Sequence, residues 1–297
     1  MCGIVGIHLK NDRLEADLGY LTVCMLEEMT DRGPDSTGVA IYEQPVAGEY
    51  RYSLRAPEGS YSWDHLGEEL TRAGTPPTRV TEYSQDAVVA VPGEDQPVLR
   101  LISSSFPELR LVSWGRALEV FKDTGLPTDI CKWYGIAKRR GYRSIGHTRL
   151  ATESAVTTEH SHPFSPVADL CLVHNGSFSN YFTVRRDLEQ RGAVFVTDND
   201  SEVAARYIGM ELAEDSDLEH AIRQTMKVMD GFYTLVVSTA DQFAVVRDSF
   251  VCKPAMVAET DDYVAMCSEY RGLARLPGIA DAEVFEPQAE EVLVWSR

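Results

Sequence analysis

Met1-Cys2-Gly3-Ile4-Val5-Gly6 opens the chain, and Cys2 to Leu9 is a short apolar run that predicts a β-strand. A small second residue such as Cys permits removal of the initiator methionine. Cys2 then stands first and carries two groups on one residue. Its thiol is a nucleophile, and its free α-amine has a reference pKa of about 7.7–8.0. That amine can take the thiol proton directly or through a water, so no separate histidine is needed. The bland alternative is a buried strand cysteine at a fraying terminus.

The surrounding chain narrows the classes of protein. At 297 residues it has the length of one large domain or two small ones. With 44% hydrophobic and 25% charged residues, it has the composition of a folded globular chain rather than a disordered one. Its 46 acidic against 28 basic residues give a formal charge of −18. That balance disfavours a phosphate backbone and an anionic membrane surface as partners. No run of about 18 apolar residues suggests a membrane span. Lys10, Asp12, Arg13, Glu15 and Asp17 interrupt any signal-peptide core, so a cytoplasmic location is expected. The six cysteines are scattered without a CxxC pair, which argues against a disulfide framework, a zinc site or an iron–sulfur cluster.

Working outward from the first strand, the spacing of Leu18, Leu21, Met25 and Met29 predicts a helix ending near Arg32-Gly33-Pro34. Gly38–Tyr42 reads as a strand. The stretch from about 45 to 140 is the least legible, with short strands expected at Ala87–Val91, Val98–Ile102 and Leu109–Trp114 and a helix over Asp129–Arg140. Patterning then sharpens. Strands are predicted at Ser144–Leu150 and Leu170–His174, and helices at Asn180–Gln190, Asp200–Leu212 and Leu218–Met229. The tail is read as strands at Phe232–Ser238, Phe243–Val246, Ala255–Ala258, Tyr263–Met266 and Val292–Trp295. Strands, then helices, then strands suggest sheets layered with helices rather than a βαβ repeat.

Several polar blocks punctuate these elements in a fixed order. After Cys2-Gly3-Ile4-Val5-Gly6 come Arg32-Gly33-Pro34-Asp35-Ser36, Gly146-His147-Thr148-Arg149-Leu150-Ala151-Thr152, His162-Pro163 and His174-Asn175-Gly176. Asp200-Ser201-Glu202, Gly231-Phe232-Tyr233 and Arg247-Asp248 close the series. In this order the sequence resembles the class II glutamine amidotransferases, an N-terminal-nucleophile hydrolase family, over about residues 2 to 270. The resemblance implies an α+β fold: a four-layer αββα sandwich of two antiparallel sheets. It implies Cys2 as nucleophile, with the Asn175 side chain and the Gly176 N–H as the oxyanion hole. Arg149 would hold the glutamine α-carboxylate, for which a planar guanidinium is suited. Thr152 would assist, and Asp200 would pair with the substrate ammonium. Each has a plainer reading: a strand-end arginine, strand packing for Thr152, an Asn-Gly turn, a helix N-cap for Asp200. Asp198 is the competing carboxylate. Arg32 and His162 are expected to support the site from behind, with His147 and His174 also packed or fixing loops. The family needs no metal, and no cofactor is expected.

The expected organisation is a single amidotransferase domain over residues 2–297. The 109 residues between Ser36 and Gly146 suggest an insertion at about 45–140, where partner contacts are expected. The sequence shows no acceptor domain, no GxGxxG fingerprint and no cluster motif. It therefore most resembles a stand-alone amidotransferase subunit of a glutamate-synthase-like system, N-methylglutamate synthase being the nearest suggestion. Such a subunit would hydrolyse L-glutamine and pass ammonia to a separate synthase subunit in a hetero-oligomer. The alternatives are a free-standing γ-glutamyl amidohydrolase and a catalytically silent structural subunit.

Overall fold

β1 (Gly3–Leu9) is buried along its whole length, because both of its faces are covered. Val5, Ile7 and Leu9 point into one apolar cluster and Ile4 into another, the period-two alternation of a strand sandwiched on both sides. The computed structural model describes residues 2–59, 61–151, 155–214 and 217–297.

The first part of the chain continues with α1 (Leu18–Glu27), β2 (Ser36–Tyr42), β3 (Glu49–Arg55), α2 (Asp64–Arg72), β4 (Arg79–Tyr83) and β5 (Asp86–Pro92). Next come α3 (Asp95–Ser105), β6 (Arg110–Gly115), β7 (Leu118–Thr124), α4 (Pro127–Trp133) and β8 (Arg143–Arg149). The rest is β9 (Cys171–Phe178), α5 (Tyr181–Gln190), α6 (Asp200–Glu214), α7 (Leu218–Val228), β10 (Gly231–Ser238), β11 (Gln242–Arg247), β12 (Met256–Glu259), β13 (Tyr263–Cys267), α8 (Tyr270–Leu273), β14 (Glu283–Phe285) and β15 (Val292–Ser296).

A seven-stranded antiparallel sheet has the order β14-β12-β13-β1-β8-β2-β7, with β1 at its centre. A second antiparallel sheet, β15-β11-β10-β9, packs against it. Ile4, Ile145, Val173, Val236, Phe243 and Met266 fill the space between the two. α1, α4 and α8 cover the outer face of the larger sheet, and α5, α6 and α7 cover the smaller one. The fold is thus the expected αββα sandwich of two antiparallel sheets.

The stretch 45–140 divides. β3 to β6 form a third, four-stranded antiparallel sheet in the order β4-β5-β3-β6, with its own apolar cluster under α2 and α3. β7, by contrast, is the edge strand of the seven-stranded sheet, paired with β2 from Ser36↔Thr124 to Tyr42↔Leu118, and α4 packs on α1. The segment that stands apart from the two-sheet core is therefore about 49–115. Buried charge ties it to the core. Glu119 of β7 is fully buried, with Arg79 of β4 at 2.8 Å, Arg139 at 2.7 Å and Arg51 of β3 at 3.6 Å.

Three local expectations are corrected. Val98–Ile102 is helical, within α3, because Val98 and Ile102 share one buried face at i,i+4. Its apolar-polar-apolar run had mimicked a strand. The helix expected over Asp129–Arg140 stops at Trp133; Gly135 adopts φ +64° and a 3₁₀ turn, Ile136–Lys138, follows. α1 likewise ends at Glu27, and Thr30–Arg32 forms a separate 3₁₀ turn. Among the described residues, no helix is long and apolar enough to cross a membrane.

The Glu119 cluster yields a test. Glu119→Gln leaves arginines facing each other without their carboxylate, which is expected to cost on the order of 3 kcal/mol. Urea unfolding should give a lower midpoint than wild type; an unchanged midpoint would mean that the cluster does not fasten the third sheet.

Candidate active site

The Cys2 end of β1 opens into a cavity of about 220 Å³, below the roughly 300–1,000 Å³ of pockets for drug-sized ligands. Cys2, Arg149, His162, Gly176 and Asp200 lie on its wall, and so does Lys253. Each reaches it from a different element. β8 runs antiparallel to β1 with Gly3 opposite Thr148, so Arg149 emerges beside Cys2. β9 contributes Gly176, and α6 begins at Asp200.

The Cys2 end of the strand is held from behind. Arg32 donates Nε–H to the Cys2 carbonyl at 2.9 Å and pairs through Nη1 with Glu269 Oε1 at 2.6 Å. Ile4 N–H donates to Ser268 Oγ at 3.0 Å, and Ser268 N–H donates to the Ile4 carbonyl at 3.0 Å. The Cys2 thiol lies 3.8 Å from the Leu150 carbonyl. Burial pushes this thiol up; the hydrogen bond to Leu150 and the charges of Arg149 and Lys253 oppose that shift.

Arg149 is 5% exposed and donates Nη1–H to the Ala155 carbonyl at 2.8 Å. Asp35, from the Arg-Gly-Pro-Asp block, accepts the Ala151 N–H at 2.8 Å, fixing the chain just beyond Arg149. Thr152 lies outside the described residues. Asp200 accepts the Phe178 N–H through Oδ2 at 2.9 Å. Its expected capping alternative belongs instead to Asn199, whose Oδ1 accepts the Ser201 N–H at 2.9 Å. Asp198 also reaches the cavity, but it is 71% exposed and bound to His160 Nε2 at 2.7 Å.

Asn175 sits one residue behind the wall. It is 2% exposed, and among the described residues its Nδ2 has no hydrogen-bond partner. A buried donor left unpaired costs about 1–3 kcal/mol, so a ligand oxygen reaching it would remove a penalty. Gly176 has φ +155°, and a Cβ there would meet the Phe232 carbonyl at 2.1 Å. Only glycine brings the backbone this close.

Three buried histidines connect the two sheets. His147 and His162 stack at 4.0 Å with their planes 13° apart. His147 Nε2–H donates to the His174 carbonyl at 3.0 Å, and the His174 N–H donates to His162 Nδ1 at 3.3 Å. His174 Nδ1 meets Ser201 Oγ at 2.8 Å. Burial holds His162 well below its ordinary value and lowers His174, so the layer is neutral. Among the described residues, no group of three or more His, Cys, Asp or Glu side chains is placed to hold a metal ion.

Lys253, Tyr181, Ser177, Asn199 and Phe232 of the wall were not predicted as site residues. Phe232 lay within a recognised block, and Lys253 lies five residues beyond Asp248, so proximity to those blocks was the only available signal.

A cysteine at the head of a central strand, in a four-layer αββα sandwich, defines the N-terminal-nucleophile hydrolase class of fold. Comparison with known proteins takes this further. Residues 147–275 match the glutamine amidotransferase domain. The chain is 45% identical over 296 residues to the glutamine amidotransferase-like protein GlxB of Rhizobium meliloti, covering 99% of this chain and 98% of that one. The structure is similar to the glutamine phosphoribosylpyrophosphate amidotransferase of B. subtilis, with a TM-score of 0.61, 19% identity and 99% of this chain covered. It also resembles the allosteric regulatory enzyme of purine biosynthesis, with a TM-score of 0.58, 19% identity and 99% of this chain covered. These two likenesses are of fold, and the chain spans 47% and 46% of those longer proteins. The chain belongs to the class II glutamine amidotransferase family.

The buried histidines make stability pH-dependent. Burial pushes His147 down to about 3, and burial with the charge of Arg143 does the same to His8. Unfolded histidines protonate near 6.5. The stabilisation is therefore complete above about pH 6.5 and is lost as pH falls from there towards 3. Each ring contributes up to about 1.4 kcal/mol per pH unit. With His162 held low as well, urea unfolding at pH 5.5 should give a free energy about 4 kcal/mol below that at pH 7.5. Equal values would show that these rings are protonated in the folded state.

Proposed function

We propose that the chain hydrolyses L-glutamine to glutamate and ammonia through Cys2 and passes the ammonia to a separate glutamate-synthase-like subunit. The reading rests on one observation: Cys2, Arg149 and Asp200 face a single cavity of amino-acid scale. Arg149 and Asp200 then receive the substrate's α-carboxylate and α-ammonium and leave its side-chain amide towards the thiol.

After loss of Met1, the Cys2 amine accepts the thiol proton as Sγ attacks the amide carbon. The oxyanion forms against Asn175 Nδ2 and the Gly176 N–H. The C–N bond breaks, the amine returns its proton to the leaving nitrogen, and ammonia departs. Water then cleaves the thioester to give glutamate and the free thiol. Arg32 and His162 act through the residues they hold. Ammonia is protonated at neutral pH and diffuses away, so its release is useful only beside an acceptor. N-methylglutamate synthase is the nearest system of that kind, and the third sheet is the proposed partner surface.

Intact mass should give residue one as Cys, since a retained Met1 removes the amine that this mechanism uses. Cys2→Ala should lower kcat for glutamine by more than about 10³-fold and still bind glutamine, with Cys2→Ser nearly as damaging. Asn175→Ala should cost about 10²–10³ in kcat. Arg149→Lys should weaken glutamine binding about 10- to 100-fold, because the planar fork is lost. Turnover by Cys2→Ala would refute covalent catalysis. In a complex with a co-expressed synthase subunit, Cys2→Ala should abolish glutamine-dependent synthesis and spare ammonia-dependent synthesis. Full glutaminase activity without any co-purifying subunit would favour a free-standing amidohydrolase. Glutamine-dependent synthesis surviving Cys2→Ala would make the chain a structural subunit.

A further inference from the structure

Lys253 stands in the wall of the Cys2 cavity and has no part in the reaction as described. The loop that carries it is fastened at several points. Arg247, 2% exposed, donates Nη2–H to the Val251 carbonyl at 3.0 Å. The Val251 N–H donates to Asp248 Oδ1 at 3.0 Å. Val251 adopts φ +58°, a left-handed conformation that is strained for a β-branched residue, and such strain persists only where the surroundings impose it. The Lys253 carbonyl accepts from Thr234 Oγ1 at 3.1 Å, and Thr234 stands opposite Asn175 in the β10–β9 register. The loop therefore fixes Lys253 relative to the strand that bears Asn175 and Gly176.

The charges of the cavity leave this ammonium over. Arg149 and Lys253 are its cations, and Asp198 and Asp200 its carboxylates. Asp198 is engaged by His160. Glutamine is a zwitterion and uses one cation and one carboxylate, Arg149 and Asp200 in the reading above. Among the described residues, Lys253 forms no ion pair; its Nζ sits 5.1 Å from the centre of the Phe232 ring. The reaction creates negative charge at Sγ and then at the amide oxygen.

We propose that Lys253 is the electrostatic positioning residue of this site, stabilising the negative charge that develops on Cys2 Sγ in the substrate-bound state. The proposal rests on Cys2 being the nucleophile. Burial is the largest influence on the Cys2 thiol and raises it, and both cations oppose that rise in the empty cavity. Once the substrate carboxylate neutralises Arg149, that support falls away and Lys253 remains. Apart from the Cys2 α-amine, which takes the thiol proton in the mechanism above and titrates alike in wild type and variants, the other charged or titratable groups around Cys2 are accounted for. Arg32 is paired with Glu269, and Asp35 is bound to the Ala151 N–H. Asp200 accepts from Phe178, and His162 and His174 are neutral.

The test is the pH dependence of Cys2 alkylation by iodoacetamide, followed by mass spectrometry on the Cys2 peptide so that exposed Cys252 does not interfere. Lys253→Met and Lys253→Gln should move the midpoint up by about one pH unit, which is about a tenfold slower alkylation near pH 7. They should lower kcat with KM for glutamine little changed, and Lys253→Arg should restore both. Thermal unfolding of each variant establishes that it is folded, and the two neutral variants differ enough in shape to guard against one failing to fold. An unmoved midpoint in a folded neutral variant, or an Arg variant as impaired as Met, overturns the proposal. Wild-type protein that alkylates normally but never hydrolyses glutamine would instead overturn the reading of Cys2 as nucleophile.

Discussion

A nucleophile proposed on the second residue must be held still at the place where a chain most readily frays. The structure meets that constraint by burying the first strand along its whole length at the centre of the larger sheet. β1 is paired on both sides, by β13 and β8, and is buried on both faces. Its leading end is pinned by Arg32 on the Cys2 carbonyl and by reciprocal hydrogen bonds between Ile4 and Ser268. The position of Arg149 follows from the same pairing, since the register that sets Gly3 opposite Thr148 leaves no freedom in where the next residue of β8 emerges. A slip of one residue would turn every side chain of β1 to the opposite face.

The other half of the site belongs to the second sheet, so its geometry depends on how the sheets are locked together. Apolar packing supplies most of the adhesion but little directional control. The directional part comes from the neutral imidazoles. His147 on β8, His162 in the following loop and His174 on β9 are joined by a stack and by hydrogen bonds to main-chain groups, and Ser201 connects them to α6. Polar groups paired inside a low-dielectric core are costly to rearrange, so this layer fixes the distance between the thiol on one sheet and Asn175-Gly176 on the other.

The parts of the fold that were legible in the sequence are those with a single strong period. β1, β8, β9 and α5 to α7 are recognisable because each buries a continuous stripe or face. The elements between β2 and β8 were harder. Val98 and Ile102 are both two i,i+2 steps and one i,i+4 step apart, so one short run fitted a strand and a helix equally well, and only the cover provided by β3 and β5 settles it. β7 escaped notice because Glu119 and Lys122 interrupt its apolar pattern, yet both are buried, their charges met by arginines and by the Ser161 carbonyl at 2.7 Å. The site was read from ordered blocks, which place Cys2, Arg149, Gly176 and Asp200 on one wall. Lys253 was missed because what brings it there is the backbone turn at Val251, which composition and spacing do not encode.

The third sheet is more than an appendage on the sandwich, because the segment that follows the Arg149 strand is held between the two. Lys122 of β7 donates to the Ser161 carbonyl, on one side of His162. Thr158 donates to Asp123 at 2.7 Å, and Asp123 pairs with Arg55 of β3 at 3.1 Å. Arg110 of β6 pairs with Glu159 at 3.3 Å. The same segment begins with the Ala155 carbonyl that receives Arg149, and His160 ties it to Asp198 on the far side of the cavity. A displacement of β3 or β6 relative to β7 would therefore strain the Arg55–Asp123 pair, whose carboxylate also holds Thr158, and the Arg110–Glu159 pair, which ends on this segment. The guanidinium proposed to hold the substrate carboxylate is oriented partly by residues whose own anchors lie in the added domain segment, which makes the geometry of the Cys2 cavity dependent on a part of the chain that contributes no side chain to its wall.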